Sequence, residues 1–214
     1  MKTIMSVLFS VLLASGMVTA SAAVQAPDEL IKGTVADVLD LIRKGKRDTD
    51  AGQKKVLDFI DARVLPNFNF ERMTKLAVGR SWRNATPEQR AALIVEFRTL
   101  LVRTYTKAFT LYKDVSVDTK SVSITESDKE VTVKTTILRP GAPAIPVNYE
   151  MELTATGWKV FDVSVEGISL VATHRGSFAE KVQQSGIDGL IKTLIELNLS
   201  SQSVNTTASR VEAK

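Results

Sequence analysis

The spacing of apolar residues along the chain changes from a helical period to an alternating one and back again. In the first part, apolar residues recur three or four positions apart, as at Ile31, Val35 and Ile42, which predicts amphipathic helices. From Val115 onward apolar and polar residues alternate, which is typical of half-buried β-strands. After Val171 the helical spacing returns. Helices, then a run of strands, then helices predict an α+β fold.

Local capping signals indicate where the helices of the first part begin and end. Asp28 is the predicted N-cap of the first helix, the second helix ends at Pro66, and a short third helix ends at Gly79. The stretch TPEQ (86–89) is a capping box that begins a long helix, which we expect to reach about Tyr112. The apolar stripe of this long helix consists of Leu93, Phe97, Leu101, Tyr105, Ala108 and Tyr112.

The alternating part predicts an antiparallel meander, because its strands follow one another through short links. The links are the proline-rich stretch 140–146 and a tight turn at 156–157. The predicted strand faces contain, in chain order, Val131, Val133, Thr135 and Ile137; then Val147, Tyr149, Met151 and Leu153; then Phe161, Val163 and Val165. Such a sheet needs a cover for its apolar face, for which the long helix and the C-terminal helices are the candidates.

The C-terminal part is predicted to be helical and to end in an irregular tail. Ser177 and Glu180 form a second capping box, and Gly186 ends the turn that follows. A last amphipathic helix runs to Leu199. The segment 200–214 is rich in serine, threonine and asparagine and lacks apolar spacing, so we expect a mobile tail.

The N-terminus has the pattern of an export signal. Lys2 precedes an almost unbroken apolar run over 4–17, which is too short to span a bilayer comfortably. Small residues follow, and cleavage is predicted after Ala22. The segment 1–22 is therefore interpreted as a signal peptide, and 23–199 as a single domain of an exported protein.

The composition excludes several classes of chemistry. The chain has no cysteine and one histidine, which excludes cysteine chemistry and metal sites built from cysteines or several histidines. There is no loop of calcium-binding spacing, no G-x-S-x-G elbow and no glycine-rich phosphate loop. The formal net charge is only +4, without a long run of like charges, so a nucleic-acid interface is not indicated. We expect no metal and no nucleic-acid partner.

A cavity enzyme is one alternative that the residues leave open. Helices over a curved antiparallel sheet can enclose a pocket, as in ketosteroid-isomerase-like proteins, where a carboxylate and a tyrosine transfer protons. Asp162 and Tyr149 are the candidates, but Asp162 lies on the strand face opposite Val163, so we expect it to face water. A structural adaptor with a filled core is the other alternative, because apolar patterns do not distinguish a filled core from a lined cavity.

Two long segments carry a resemblance to a known family. They are FNFERMTKLAVGRSWRNATPEQRAALIVEFRTLLVRTYTKAF (68–109) and GWKVFDVSVEGISLVATHRGSFAEKVQQSGIDGLIKTL (157–194). Together they resemble the MlaC family, also called toluene-tolerance proteins, and the similarity extends over roughly 23–199. The members of this family are periplasmic phospholipid-binding proteins of Gram-negative bacteria.

The resemblance implies a soluble periplasmic carrier of glycerophospholipid that needs no cofactor and catalyses no reaction. It would shuttle lipid between an outer-membrane lipoprotein–porin complex and an inner-membrane ABC transporter complex, and so maintain outer-membrane lipid asymmetry. The implied fold is a bent antiparallel sheet of about four to five strands, NTF2-like in part, packed with helices that enclose an apolar cavity. The acyl chains would lie in the cavity and the headgroup outside. We expect a monomer that docks transiently with its membrane complexes.

The predicted lipid-binding residues combine the strand faces with apolar residues of the helices. They are Trp82, Phe97, Leu101, Tyr105, Val147, Tyr149, Met151, Val163, Val165, Ile168, Val171, Leu190 and Leu194. Candidate contacts with partner proteins are Arg80, Arg83, Arg90 and Arg98.

The chain departs from the family pattern after the last strand. An Asn-aromatic-Arg run is expected there, whereas this sequence has Thr173, His174 and Arg175. The arginine is kept, and we predict that Arg175 forms part of a polar rim, where it faces a lipid phosphate or a carboxylate of a partner. His174 is interpreted as part of the same rim rather than as a catalytic base.

Overall fold

The computed structural model describes residues 24–44, 50–111 and 114–211. The helices in these ranges are α1 (Pro27–Lys44), α2 (Asp50–Phe59), α3 (Phe70–Val78), α4 (Pro87–Leu111) and α5 (Leu170–Val211), and the strands are β1 (Ser116–Thr119), β2 (Glu130–Arg139), β3 (Ala142–Thr154), β4 (Gly157–Val165) and β5 (Ile168–Ser169). The predicted signal peptide 1–22 and Tyr112 lie outside the described residues. In the described ranges, none of the helices has the length and apolar character needed to cross a membrane.

The five strands form one antiparallel sheet in the order β1-β2-β3-β4-β5. Each strand pairs with the next one along the chain, so the predicted meander and the α+β class are confirmed. In the central part of the sheet, Val133 of β2 lies opposite Tyr149 of β3, and Tyr149 lies opposite Val163 of β4. This register fixes which side chains share a face, because successive residues of a strand point to opposite sides.

One side of the sheet, which we call the inner face, is almost entirely apolar. Its members are Val131, Val133, Thr135, Ile137, Ile145, Val147, Tyr149, Met151, Leu153, Trp158, Val160, Val163 and Val165. The opposite side, which we call the outer face, is polar and carries Thr132, Lys134, Asn148, Glu150, Glu152, Asp162 and Ser164. Helix α1 packs on the inner face, where Ile31 is buried among the strand side chains.

A bulge in β4 changes the predicted face of one residue. Met151 of β3 pairs with Val160, and the preceding Glu150 pairs with Asp162, so Phe161 is the extra residue. Val160 and Val163 therefore both lie on the inner face, three positions apart. Phe161 instead lies under the guanidinium of Arg72, at 3.6 Å from its ring centre. The prediction that Phe161 shares a face with Val163 is wrong, because simple alternation does not foresee the bulge.

The helices α3, α4 and α5 pack on one another rather than over the inner face. Buried residues of α4, such as Leu93, Phe97 and Leu101, contact α3 residues such as Met73 and α5 residues such as Leu194. In the described part of the chain, the cover of the inner face comes from α1, together with Phe68, Val122 and Leu170 at the start of α5. The expectation that the long helix covers the sheet is therefore wrong for these residues, since its apolar stripe is used within the helical layer.

The capping box of the long helix is confirmed, but the cap of the first helix is not. The backbone N–H of Thr86 donates to Gln89 Oε1 (3.0 Å), and that of Gln89 donates to Thr86 Oγ1 (3.2 Å). Helix α1 begins at Pro27, so Asp28 is its second residue rather than its N-cap. The Asp28 carboxylate instead accepts a hydrogen bond from the backbone N–H of Val122 (3.3 Å), which ties α1 to the segment before β2.

Helix α5 begins earlier than predicted. It starts at Leu170 and is capped by Ser169, whose Oγ accepts a hydrogen bond from the backbone N–H of Ala172 (2.9 Å). The predicted capping box at Ser177 is wrong, because Ser177 lies inside the helix and donates to the carbonyl of His174 (3.1 Å).

A kink divides α5, as the glycine signal predicts. Ser185 and Gly186 have non-helical backbone angles, and Gly186 has a φ of 71°, which favours glycine. Beyond the kink the helical backbone continues to Val211, through most of the predicted tail. The mobility of 200–214 is not tested by this backbone and stays a prediction.

Candidate functional site

The predicted lipid-binding residues lie in two clusters of side chains, and Phe68 packs against both clusters. The helical cluster, built from α3, the following 3₁₀ turn, α4 and α5, contains Trp82, Phe97, Leu101, Val171, Leu190 and Leu194, with Tyr105 packed against it. The sheet cluster, built from the inner face and α1, contains Val147, Met151 and Val163, with Tyr149 and Val165 packed against it. Ile168 belongs to neither cluster and is 66% exposed. It lies on the two-residue strand β5, which forms one edge of the sheet.

The helical cluster has the character of a filled core. Phe97 and Leu194 are fully buried, and Leu190 is 1% exposed. The rings of Phe97 and Phe178 meet edge to face with their centres 5.2 Å apart, a favoured aromatic geometry. Because these side chains are already packed against one another, this half of the predicted set stabilises the helical layer.

The sheet cluster has a buried centre and a partly exposed apolar surround. Val133 and Met151 at its centre are fully buried. The partly buried apolar residues around this centre include Leu30, Val131, Ile137, Ile145, Tyr149, Leu153, Val165 and Leu170. An apolar ligand that covers these side chains removes apolar surface from water, which is favourable in proportion to the area.

Two adjacent hydroxyl groups interrupt the apolar inner face. Thr135 is 2% exposed and donates a hydrogen bond to the carbonyl of Val147 (3.0 Å). The phenol of Tyr149 lies beside it on the next strand. Burial raises the pKa of Tyr149 to about 12, with a hydrogen bond between its side chain and that of Thr135 opposing the shift. Tyr149 therefore remains a neutral hydrogen-bonding group at physiological pH.

Asp162, the candidate acid of the enzyme alternative, is part of the scaffold. Its carboxylate accepts hydrogen bonds from the Ser169 hydroxyl and from the backbone N–H groups of Val163 (2.8 Å) and Val171 (3.2 Å). It thus joins β4 to β5 and to the N-terminus of α5, where a carboxylate is favoured. The prediction that Asp162 faces water is wrong, because α5 begins directly beside this side of β4.

His174 lies in an aromatic group instead of a polar rim. Its ring is 5.1 Å from that of Phe97 and 5.4 Å from that of Phe178, centre to centre. Burial among these rings lowers the pKa of His174 below its ordinary value, because the cationic form loses hydration there. The interpretation of His174 as a rim residue is therefore wrong.

Arg175 is exposed, and its Nε donates a hydrogen bond to the carbonyl of Leu76 (3.1 Å). Leu76 is near the C-terminus of α3, where carbonyl groups lack helical partners and a cation is favoured. This contact joins α5 to α3. The contact of Arg175 with a phosphate or a partner stays a prediction.

A polar junction between α3 and the outer face was not predicted from the sequence. Arg72 makes ion pairs with Glu152 (2.6 Å) and Glu130 (2.7 Å), and Asn69 donates to Glu152 (2.7 Å). Partial burial opposes protonation of Arg72, but hydrogen bonds and charge attraction from both glutamates raise its pKa overall. These partners are far apart in the chain, so no local sequence signal could have identified the junction.

The four candidate arginines for partner contacts have different surroundings. Arg90 donates to the carbonyls of Trp82 (3.2 Å) and Arg83 (3.3 Å), and Arg98 pairs with Asp61 (2.8 Å). Both are therefore engaged within the fold. Arg80 and Arg83 are exposed on the 3₁₀ turn after α3. Their contacts with partners stay predictions.

Two surface grooves lie near the ends of the sheet. A groove of about 390 Å³ is lined by Arg43, Asp114, Val115, Ser116, Leu138, Arg139 and Pro140. The other, of about 410 Å³, is lined by Val24, Gln25, Leu30, Asn67, Ala155, Thr156, Gly157, Trp158 and Lys159. Neither includes a predicted lipid-binding residue. Among the described residues, no group of three or more histidine or acidic side chains is arranged to hold a metal ion.

Comparison with known proteins assigns the chain to a family. A family model described as "MlaC protein" matches residues 32–196, which is most of the chain. The chain belongs to the MlaC family. The resemblance that the sequence carries is thereby confirmed.

Two relatives add detail to the MlaC assignment. The toluene tolerance protein ttg2D of Pseudomonas putida is 25% identical over 173 residues, which cover 80% of each chain. A solved structure of the phospholipid-binding protein from Ralstonia solanacearum, in complex with a phospholipid, is 30% identical with a TM-score of 0.75. The match to that structure covers 83% of this MlaC chain and 99% of the other chain.

Proposed function

We propose that this protein is a periplasmic carrier of glycerophospholipid, and that the acyl chains lie against the inner face of the sheet. The observation that carries the proposal is the match to the Ralstonia protein, whose structure contains a phospholipid and is covered over 99% of its length. The sheet cluster supports the proposal because its partly buried apolar side chains offer the surface that acyl chains need.

The inner face is the proposed site because the helical cluster has little surface left to offer. Phe97 and Leu194 of that cluster are fully buried against neighbouring side chains. On the inner face, by contrast, Tyr149 and Val165 are only partly buried and adjoin a large apolar area. We therefore propose Val147, Tyr149, Met151, Val163 and Val165 as the lipid-binding part of the predicted set.

The energetics of acyl-chain burial explain why such a carrier needs docking partners. Burial contributes about 0.8 kcal/mol per methylene, so a chain of about 16 carbons contributes roughly 13 kcal/mol. A bilayer offers the same chains a similar environment, so the net preference between carrier and membrane is small, while passage through water is very slow. Loading and unloading are therefore proposed to occur in docked complexes, and no covalent chemistry is required.

The proposed partners are an outer-membrane lipoprotein–porin complex and an inner-membrane ABC transporter complex. The carrier would move lipid between them as a monomer and so maintain outer-membrane lipid asymmetry. This part of the proposal rests on family membership over 32–196. Exposed cations such as Arg80 and Arg83 are the candidate contacts, because charged groups at a rim steer encounter and set specificity.

Native mass spectrometry tests the proposal most directly. The mature protein is purified from the periplasm without detergent, and its mass is compared with that of the polypeptide. We expect a stoichiometric adduct that organic extraction identifies as phospholipid, and the adduct mass counts the acyl chains. A bare polypeptide mass, together with failure to take lipid from vesicles, would contradict the carrier proposal.

Paired glutamate substitutions test where the lipid lies. Tyr149→Glu places a carboxylate on the inner face, where its burial beneath acyl chains is unfavourable, so we expect the lipid adduct to be lost. Asn148→Glu is the matched control, since the neighbouring residue faces the outer side opposite Lys134 and should retain the adduct. Circular dichroism establishes that both variants are folded. Equal lipid content in the two folded variants would remove the inner face as the site.

A further inference from the structure

The inner face has two ends along its strands, and a surface groove lies near each of them. From Ile145 to Leu153, strand β3 advances about 27 Å along this face. One leaflet of a bilayer core is roughly 15 Å thick, so acyl chains fit along the face and place the headgroup at one of its ends. The stretch 138–140 at the Ile145 end lines the groove of about 390 Å³, and the stretch 155–159 at the Leu153 end lines the groove of about 410 Å³.

The groove near Ile145 is lined by two arginines, Arg43 of α1 and Arg139 of β2, and we call it the arginine groove. Nη2 of Arg43 donates to the carbonyl of Val115 (2.8 Å), and Nε and Nη2 of Arg139 donate to the carbonyl of Pro143 (3.2 Å and 2.7 Å). These contacts hold both guanidinium groups at the groove. Within the described residues, the contact of Arg43 uses only one of the five N–H groups of a guanidinium, so donors remain for a ligand.

An aspartate completes the charge pattern of the arginine groove. A guanidinium binds phosphate oxygens through parallel N–H groups, and Arg43 and Arg139 together provide two guanidinium groups. Asp114 is exposed in the same groove, where its carboxylate repels a bare phosphate but attracts an ammonium group. A phosphate that carries an amine a few bonds away therefore meets both signs of charge here. Phosphoethanolamine, a lipid headgroup, has this chemistry.

The other cations near the two clusters are less suited to a headgroup. Lys159 is the one charged residue among the described residues that line the groove near Leu153, and its Nζ donates to the carbonyl of Pro66 (2.7 Å). Arg175 belongs to α5 and donates to the carbonyl of Leu76 in α3, so it is part of the helical layer. The end of the inner face near the arginine groove therefore offers the better site for a phosphate.

We infer that the headgroup of the bound lipid lies in the arginine groove, where Arg43 and Arg139 contact its phosphate and Asp114 contacts the amine of a zwitterionic headgroup. The inference rests on the proposed function and names the part of the lipid that this end of the site recognises. The acyl chains then extend from Ile145 towards Leu153 along the inner face. A lipid with an amine in its headgroup is preferred over one with a glycerol headgroup, because only the amine pairs with the carboxylate.

Spin labels at the two ends of the inner face test the position of the headgroup. The chain has no cysteine, so one introduced cysteine carries the nitroxide label at a chosen position. Ala142→Cys places the label opposite Arg139, and Ala155→Cys, at another exposed alanine, places it at the other groove. With bound phosphatidylethanolamine, we expect the label at 142 to broaden the phosphorus NMR signal of the lipid and the label at 155 to leave it sharp. Inorganic phosphate, added to the delipidated labelled protein at the same concentration, should stay sharp with both labels.

A competition experiment tests the contact with the amine. The delipidated mature protein is incubated with vesicles that contain equal amounts of phosphatidylethanolamine and phosphatidylglycerol with the same acyl chains, and the bound lipids are quantified by mass spectrometry. We expect about threefold enrichment of phosphatidylethanolamine, the size of effect that an exposed charge pair produces. Asp114→Asn should bind both lipids in nearly equal amounts. Asp118→Asn is the matched control, since Asp118 pairs with Lys120 (2.6 Å) outside the groove, and should keep the wild-type ratio.

Glutamine substitutions test the contact with the phosphate. The double variant Arg43→Gln, Arg139→Gln should bind both lipids about fivefold more weakly, because both headgroups contain the phosphate. Arg175→Gln removes the same charge and also loses a contact with a backbone carbonyl, but it should keep the wild-type affinity. A merely structural role of the two groove arginines would lower the stability of the protein without lowering its affinity for lipid.

The outcomes distinguish this inference from the proposed function. A lipid signal that stays sharp with the label at 142, or that broadens equally with both labels, overturns the headgroup position while the carrier function stands. Broadening of inorganic phosphate without broadening of the lipid identifies an anion site unrelated to the lipid and also overturns it. An unchanged lipid ratio in Asp114→Asn, or unchanged affinity in the double variant, overturns the corresponding contact. Failure of the wild type to bind either lipid contradicts the proposed function, and the inference falls with it.

Discussion

At Asp162, one carboxylate serves two strands and a helix at once. It accepts hydrogen bonds from Ser169, from its neighbour Val163 and from the first turn of α5 at Val171. The alternation of β4 correctly predicts that Asp162 lies on the polar side of the sheet, opposite Glu150. It does not predict that β5 and the first turn of α5 lie beside this carboxylate. A carboxylate occupied by three donors is held in one orientation, which is the arrangement expected of a structural residue.

His174 gives the protein a pH dependence whose sign follows from its surroundings. Its folded pKa is lowered by burial below the ordinary value of 6.5, so the unfolded chain binds the proton more readily. Its contribution to the free energy of unfolding is therefore intact above pH 6.5 and is lost as the pH falls through the folded pKa. We expect the wild type to lose stability between about pH 7.5 and 5.5, as measured by urea unfolding.

The variant His174→Phe provides the comparison for this pH dependence. Phenylalanine retains an aromatic ring beside Phe97 and Phe178 but does not titrate. Because the chain has only this one histidine, the variant should lose less stability than the wild type over the same pH interval. The same slope in both proteins would show that His174 does not control stability in this range.

At the scale of the elements, the ends of helices that depend on local signals could be predicted better than the contacts between one element and another. The capping box at 86–89 and the glycine at Gly186 act through contacts only a few residues apart, so the sequence shows them directly. The bulge at Phe161 depends on how β4 fits against β3, and the start of α5 depends on Ser169 and the carboxylate from β4. Such features arise from contacts between elements, which local patterns do not contain.

The polar junction between α3 and the outer face of the sheet is expected to contribute to the free energy of unfolding. Arg72 and Glu152 have side chains that are 26% and 19% exposed, and the Arg72 guanidinium also covers Phe161. Arg72→Met leaves Glu152 partly buried without its cation, so we expect a loss of about 2–3 kcal/mol in the free energy of unfolding. Urea unfolding with an unchanged m-value measures this loss.

Arg98 provides a matched control for Arg72. Like Arg72, it combines an ion pair with an aromatic contact: it pairs with Asp61, and its guanidinium lies 5.8 Å from the ring centre of Phe70. Its pair is exposed, with side-chain exposures of 44% and 62%, so Arg98→Met should cost at most about 1 kcal/mol. Equal losses in the two variants would mean that the Arg72 junction contributes no more than a surface ion pair.

For the whole molecule, the class of fold and the apolar strand faces could be predicted, but the division of the core could not. Periodicity identifies Val147 and Leu194 equally well as apolar and inward-facing. Only the packing of α4 on α3 and α5 assigns Leu194 to a filled helical cluster, and only the sheet register assigns Val147 to the inner face. A list of apolar positions therefore contains the proposed site together with a core that has a different role.

This division leads to a prediction about the response of the whole molecule to lipid. A ligand that binds the folded state stabilises it and slows local opening where it makes contact. If the acyl chains lie on the inner face, hydrogen exchange of the lipid-loaded protein should be slower in α1 and in β2–β4 than in the delipidated protein. Peptides from α3 and the first half of α4 should change little, because Met73, Leu93 and Phe97 are already packed without lipid.

The Tyr149→Glu variant is the control for this exchange experiment, since it is expected to bind no lipid and should give the delipidated pattern under both conditions. Added protection confined to α3, α4 and α5 would instead assign the lipid to the helical cluster and contradict the proposed site. The two patterns differ in which half of the molecule responds, so the experiment does not depend on the absolute stability of either state. It therefore decides between two clusters that the sequence alone presents as one.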